Sequence, residues 1–283
     1  MNSLKSKPLA SAILATYNSE KTLVAALSSL LTQTCEIEII VVDDGSTDQT
    51  KVIIKNFPSV IYLSQKHCGP AHARNLGAKK ASSNILLFVD ADMTFEPHYV
   101  EDLISPILSG ETIGTYTTDE RVANWDNPLA RCWNIQEGWA DEHRFPLPPS
   151  GGSPLGTDYR AILKSEFDRV EGFDDIGYTD TWSLFNKLGE RPLSTQAICY
   201  HKNPDSLSAV YRQARWAAKR PYKYGFIGSL YALGRTSLPV SLVIAITKSL
   251  KRHNLYFLPF KLVYDFGRFV GILEMLSTGK LSK

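Results

Sequence analysis

The chain has four cysteines in 283 residues and no CxxC pair, so neither a zinc site nor a disulfide framework is signalled. Cys35, Cys68, Cys132 and Cys199 lie far apart, which fits a reducing, cytosolic setting. The opening MNSLKSKPLASAILATYNS has two lysines but no continuous apolar h-region, so no signal peptide is expected. Long apolar runs are missing too. The stretch 238–246, between Arg235 and Lys248, falls well short of the ~20 residues a membrane-spanning helix needs. Internal repeats and low-complexity tracts are also absent.

What is present is a chain with 43% hydrophobic residues, long enough to bury one large α/β core and carry an appendage. The net charge of +2 hides a strong asymmetry. Residues 1–211 hold 18 Lys and Arg against 27 Asp and Glu, whereas residues 212–283 hold 13 against 2. A basic tail points either to nucleic acid or to anionic lipid, and its interleaved apolar residues decide between them.

Apolar runs at 9–16, 36–43, 60–64 and 84–89 read as strands, and the amphipathic stretches 20–32, 48–56 and 69–81 read as helices. Strands this apolar are covered on both faces, so the βαβα alternation predicts a largely parallel sheet between helices. Such sheets bind nucleotides at the carboxyl ends of their strands. Further on, the pattern predicts helices at 127–143, 179–189 and 206–224 and strands at 159–164 and 197–201. The loop FPLPPSGGSPLG excludes regular structure and reads as part of a site or lid.

Two clusters stand at predicted strand ends. Ala15-Thr16-Tyr17-Asn18 closes the first strand, and Asp43-Asp44-Gly45-Ser46-Thr47-Asp48 closes the second. A tyrosine ring stacks on a base, and a carboxylate accepts from a ring N–H. The competing reading makes Asp44-Gly45 a turn and Ser46 or Thr47 a helix cap. Asp90-Ala91-Asp92 follows the apolar ILLFV and sets two carboxylates at i and i+2 on one side of an extended segment. They repel unless a cation lies between them, and a diphosphate calls for that cation.

TYNSE, VVDDGSTD, GPAHARNLGAKKASSNILLFVDAD and GFDDIGYTD, in this order, resemble glycosyltransferase family 2, whose fold is GT-A; the match covers about residues 9–215. The resemblance implies a mixed, mostly parallel α/β sheet, Rossmann-like and flanked by helices. It also implies inverting transfer of a sugar from a nucleotide diphosphate donor, with UDP favoured. Thr16, Tyr17, Asn18, Asp44, Arg74, Asp90 and Ala91 would form the nucleotide-sugar site, Asp90 on its ribose side. Asp92 would hold Mn²⁺ or Mg²⁺, with His201 a further metal or diphosphate ligand. Asp180 would be the catalytic base, although Thr179 replaces the family's usual glutamate beside it. Without the resemblance, Asp180 reads as an acid against a helix N-terminus and His201 as a structural strand-end residue. Arg212-Gln213-Ala214-Arg215-Trp216 is similar to the QxxRW motif of processive members, with the glutamine one place late.

The tail decides the remaining question. In LYFLPFKLVYDFGRFVGILEML, Lys261, Asp265 and Arg268 share one helical face, with Phe266, Phe269, Val270 and Leu273 opposite. Aromatic faces bordered by cations fit a helix lying in a membrane interface better than a nucleic-acid contact. The competing reading is an amphipathic helix packed on the catalytic domain. The expected organisation is a GT-A domain over 7–203 and a basic, amphipathic helical extension over 204–283. The expected location is cytoplasmic, peripheral on the cytoplasmic face of a membrane. The expected partners are the donor, a glycan or lipid-linked acceptor and an anionic membrane surface, with no nucleic acid or protein partner. Two other classes stand beside this reading. A nucleotidyltransferase lacks its glycine-rich GxGTR-like signature here, and a nucleotide-sugar-binding protein without catalysis would keep the fold.

Overall fold

The computed structural model describes residues 7–144, 156, 158–176 and 180–282, with the side chain of Asp180 outside that description. Two compact units emerge. The first comprises Met1–Arg121, Pro148–Asp175 and Asp180–His201, and the second Val122–Leu147, Ile176–Thr179 and Lys202–Lys283.

In the first unit, β1 (Ala10–Thr16), β2 (Ile37–Asp43), β3 (Ile61–Ser64) and β4 (Ile85–Asp90) are joined by α1 (Leu23–Leu31), α2 (Thr50–Lys55) and α3 (Pro70–Lys80). This is the expected alternation, and the three ladders joining the four strands are all parallel. Alternate side chains of β1 show why: Leu14 packs in one buried layer with Leu23, Leu27, Val41 and Leu87, and Ile13 in the other with Val42, Ala73 and Phe88. On α3 the packing residues are small. A Cβ at Gly77 would stand 2.4 Å from Ile13 Cγ2, so this helix lies close on the sheet only because position 77 is glycine.

The sequence pattern leaves much of the other half of the sheet unassigned. That half contains β5 (Met93–Phe95), β6 (Gly114–Val122), β7 (Ala161–Leu163) and β8 (Leu193–His201), with α4 (Tyr99–Leu108), α6 (Lys164–Arg169) and α7 (Asp180–Leu188) around it. In it β4 pairs with β7, β7 with β6 and β5 with β8, all antiparallel. The strand order is β3-β2-β1-β4-β7-β6-β8-β5. From β1 the chain builds outward through β2 and β3, then returns to place β4 on the other side of β1. The carboxyl ends of β1 and β4 therefore flank a topological switch point, where open α/β sheets hold ligands.

The second unit contains α5 (Pro128–Glu137), α8 (Leu207–Ala218), α9 (Gly225–Arg235), α10 (Leu238–Lys251) and α11 (Phe257–Thr278). The Asn127 side chain caps α5 by accepting from the N–H groups of Leu129 and Ala130, and Ser206 caps α8 through Ala209 N–H. Gly138, in the left-handed region, ends α5 earlier than the expected 143. Cys132, Trp133, Val210, Ala214, Phe257, Phe260 and Tyr264 form a buried cluster. Along α11, Cβ atoms on Gly267 and Gly271 would come within 2.7 Å of Tyr211 O and 2.2 Å of Arg215 O, so α8 and α11 touch backbone to backbone. Arg215 of the RQARW segment pairs with Glu274 of α11, a contact within this bundle.

The expected shared face of Lys261, Asp265 and Arg268 corrects itself in one respect: its charged side turns inward. Lys261 is 5% and Asp265 2% exposed, joined at 3.0 Å, with Ser241 Oγ donating to Asp265 at 2.5 Å. Phe266, on the opposite side, is 60% exposed. Among the described residues no single helix is long and apolar enough to cross a membrane. The pair α9 and α10, bent by 58°, reaches that length and composition together.

Candidate functional site

The parallel ladders fix the site. Thr16 is paired with Asp43 across β1 and β2, and Ala15 with Asp90 across β1 and β4, so the two acidic clusters meet at one edge of the sheet. Around Thr16 the chain turns sharply. Asn18 takes a positive φ of 50°, its N–H donates to Ser46 Oγ at 2.9 Å, and its Oδ1 accepts from Thr47 N–H at 2.8 Å. The TYN and DGST segments are thereby clasped to each other. Tyr17 remains 45% exposed and stacks on His67 with ring centroids 4.1 Å apart, forming an aromatic shelf beside the strand ends. Thr16 Oγ1 is buried without a hydrogen-bond partner.

Asp44 is buried and organises the loop that leads into α3. Oδ1 accepts from Gln65 Nε2 at 2.7 Å and Cys68 N–H at 2.8 Å. Oδ2 accepts from Gly69 N–H at 2.8 Å and lies 2.8 Å from His67 Nδ1. Both oxygens therefore hold residues 65–69, and through His67 they hold the shelf under Tyr17.

Asp90 faces two guanidinium groups. Arg74 Nη2 donates to Oδ1 at 2.9 Å, and Arg160 Nη1 reaches Oδ2 at 3.3 Å. Burial alone would push this carboxyl up, but the charges of Arg74, Arg160 and His201 outweigh it and hold the group far below the usual carboxylate range. Arg160 continues to Glu120 at 3.2 Å, Glu120 lies 2.7 Å from His201 Nδ1, and His201 Nε2 lies 3.1 Å from Asp92. A continuous chain of polar contacts thus runs Arg74, Asp90, Arg160, Glu120, His201, Asp92. Burial lowers the Arg160 pKa less than Glu120 and Asp90 raise it, so this arginine stays charged.

Ladder register explains the last link: Met93 of β5 is paired with His201 of β8, which brings the strand-end histidine beside Asp92. Sequence reading named both ends of this chain but missed Arg160 and Glu120. Arg160 does stand at the start of the predicted strand 159–164, and that was the available signal. Glu120 sits in TTDERV, which gave none.

These residues fit a divalent cation with two protein ligands. A proton or a cation must lie between His201 Nε2 and Asp92 Oδ1, and the 46% exposure of the Asp92 side chain leaves it open to further ligands. Glu120 on Nδ1 is the carboxylate that commonly orients a metal-binding histidine. Among the described residues no three His, Cys, Asp or Glu groups form a metal cage. That donor set suits Mn²⁺ or Mg²⁺ completed by phosphate oxygens and water.

The GFDD segment is pinned beside Arg74. Asn75 Nδ2 donates to Phe173 O at 2.8 Å and its Oδ1 accepts from Phe173 N–H at 3.0 Å. Gly172 has φ +69°, and a Cβ there would stand 2.5 Å from Asn75 Oδ1, so glycine is required at the turn. Asp174 pairs with Lys187, and Asp175 lies 3.4 Å from His72. Asp180 opens α7; its side chain, Thr179 and residues 145–155 of the expected loop lie outside the described residues.

Comparison with known proteins agrees with this geometry. Residues 11–147 match the family model described as glycosyl transferase family 2. An uncharacterized glycosyltransferase of Escherichia coli, YibD, is 37% identical over 236 residues, 72% of this chain and 64% of the relative. The chondroitin synthase of Escherichia coli is 27% identical over 208 residues, 70% of this chain and 29% of the relative. The chain thus spans less than two thirds of the length of these relatives. Among solved structures, Staphylococcus aureus TarS 1–349 in complex with UDP-GlcNAc is similar, with a TM-score of 0.55, 16% identity, and 97% of this chain and 93% of that one covered. A Pyrobaculum calidifontis mannosyltransferase in complex with GDP-Man and Mn²⁺ has a TM-score of 0.56 at 17% identity, covering 93% and 88%. At those identities the likeness is one of fold, the GT-A arrangement. The ordered motifs and the family model agree over the segment they share: residues 11–147 match glycosyl transferase family 2.

Proposed function

We propose that this protein is an inverting glycosyltransferase that moves a sugar from a nucleotide diphosphate donor, a UDP-sugar, to a hydroxyl of a membrane-associated glycan or lipid-linked acceptor. One observation carries the reading: at the switch point an aromatic shelf, a guanidinium-held Asp90 and the exposed Asp92 beside the largely covered His201 lie in sequence, matching base, ribose and diphosphate in turn. Tyr17 on His67 offers a stacking face to the base. Asp90, kept ionised and oriented by Arg74 and Arg160, accepts from ribose hydroxyls. Asp92 and His201 hold Mn²⁺ or Mg²⁺, which when bound neutralises charge on the departing diphosphate. Asp180 takes the acceptor hydroxyl proton, the oxygen attacks the anomeric carbon as its bond to the diphosphate breaks, and one displacement inverts that centre.

The GT-A domain over 7–203 carries the chemistry in this reading, and the basic extension over 204–283 holds it on the cytoplasmic face of a membrane. The charge bias of the tail and the exposed apolar residues of α9 and α10 support that location.

The test is calorimetry of UDP-sugars with Mn²⁺ or chelator, followed by turnover. Donor binding should need the cation and be lost in Asp92→Ala. Asp180→Asn should keep the donor Kd and lose ~10²–10⁴-fold in kcat. Donor affinity that is equal in chelator and Mn²⁺ sinks the metal assignment. Near-normal kcat in Asp180→Asn, with a large loss in Asp174→Asn or Asp175→Asn, moves the base to that neighbour.

A further inference from the structure

The second unit has a cavity of about 690 Å³ of its own, unconnected with the nucleotide reading above. Lys223, Arg235, Lys261 and Arg268 line it, and Asp265 is the one carboxylate among the described lining residues. That carboxylate already answers Lys261 at 3.0 Å and accepts from Ser241, so three further cations face the cavity beyond this pair. Ile227, Tyr231 and Ile244 form its apolar wall. Outside it the same helices continue as an uncovered apolar surface, with Phe226, Leu230, Val243 and Ile246 exposed.

A cationic recess opening along an apolar surface is complementary to one kind of molecule. A free phosphate or a nucleotide satisfies the cations but has nothing for the apolar helices to cover. A neutral lipid covers the helices but leaves the cations in a partly dry recess without counter-charge, which is unfavourable. We propose that this cavity binds the phosphate headgroup of a membrane phospholipid, with its acyl chains along α9 and α10. Arginine is suited to this, since its planar fork donates two N–H groups to one phosphate. Burial pulls the Lys261 ammonium down and Asp265 opposes that shift, so an incoming phosphate favours the charged form further.

The proposal deepens the membrane reading above by giving it a specific site, and its test separates the two. Full-length protein is titrated by calorimetry with dihexanoyl phosphatidic acid kept below its micellar concentration. Glycerol 3-phosphate and dihexanoylglycerol serve as headgroup-only and chain-only arms. Saturable binding of one phosphatidic acid per chain is expected, with both partial compounds weaker. The variant Lys223→Gln/Arg235→Gln changes two exposed rim residues, so its folding is not at issue. It should lose about tenfold or more, the worth of a charge-assisted hydrogen bond. Lys251→Gln/Arg252→Gln, outside the cavity, removes the same charge and should lose only about twofold through screened long-range attraction. Equal weakening in both variants, or equal affinity for either partial compound, overturns the site. Sedimentation with anionic vesicles is read in parallel. Sedimentation unchanged in the rim variant keeps the membrane reading and rejects the cavity, whereas one-to-one lipid binding without sedimentation does the reverse.

Discussion

Asp44 shows what a single carboxylate determines here, because both its oxygens accept and the donors include two backbone N–H groups that cannot turn away. An amide at this position presents an N–H to at least one of those donors. Asp44→Asn should therefore orphan a buried group, which costs about 1–3 kcal/mol and lowers the melting temperature by roughly 2–10 °C. Gln65→Ala removes one of the partners and leaves water free to replace it, so its effect should be smaller. Scanning calorimetry of the two variants checks the order, and an undisturbed Asp44→Asn would mean that residues 65–69 are held by something else. Donor affinity should fall with the Asp44 change as well, since His67 is the support under Tyr17. Asp90 follows the same logic from the opposite side: its arginines keep it ionised, so donor binding should not titrate with this group near neutral pH.

Helices α8 and α11 touch closely, through Gly267 and Gly271 on one side and Ala214 and Ala218 on the other. A methyl on Gly271 would meet Arg215 O at 2.2 Å, and that atom is backbone. Gly271→Ala should therefore force the helices apart at a cost of about 1–3 kcal/mol, while Gly279→Ala meets nothing within 4 Å and suffers only from its positive φ. Chemical denaturation of both separates steric from conformational cost, and a neutral Gly271→Ala refutes the close approach. The elements also show where sequence was readable. Strands β1 to β4 announce themselves because each is a short apolar run ending in polar or acidic residues, and a parallel ladder brings those ends together without further information. Glu120 lies in β6 and Arg160 immediately precedes β7, and these strands join the sheet through antiparallel pairings remote in sequence. In GTYTTDERV polar residues occupy buried positions, so its pattern gives no strand signal and Glu120 stays hidden. The face of α11 was visible in the spacing of Lys261, Asp265 and Arg268, but its direction was not, because a helix period says which residues share a side and not what lies opposite. Ser241, the partner that makes burial of Asp265 tolerable, sits on α10, 24 residues earlier.

At the scale of the molecule the charge divides into an acidic stretch of 211 residues and a basic one of 72. If the basic part meets anionic lipid, each cation near the surface contributes ~1 kcal/mol, and the attraction fades as the Debye length shrinks from ~10 Å at 0.1 M salt to ~3 Å at 1 M. Full-length protein should sediment with phosphatidylglycerol vesicles at low salt, bind far less to phosphatidylcholine, and lose most but not all of the binding at high salt. Failure to sediment at low salt would reject the membrane reading of the tail's charge. The inward turn of Lys261 and Asp265 bears on handling the protein as well. With polar contacts inside the bundle and apolar side chains outside, Phe226, Leu230, Leu242, Val243 and Ile246 belong to none of its buried clusters and do not line the cavity. Recoating those five positions with lysine and glutamate leaves the buried clusters intact and lowers the exposed apolar area, so a more soluble form is within reach of surface redesign.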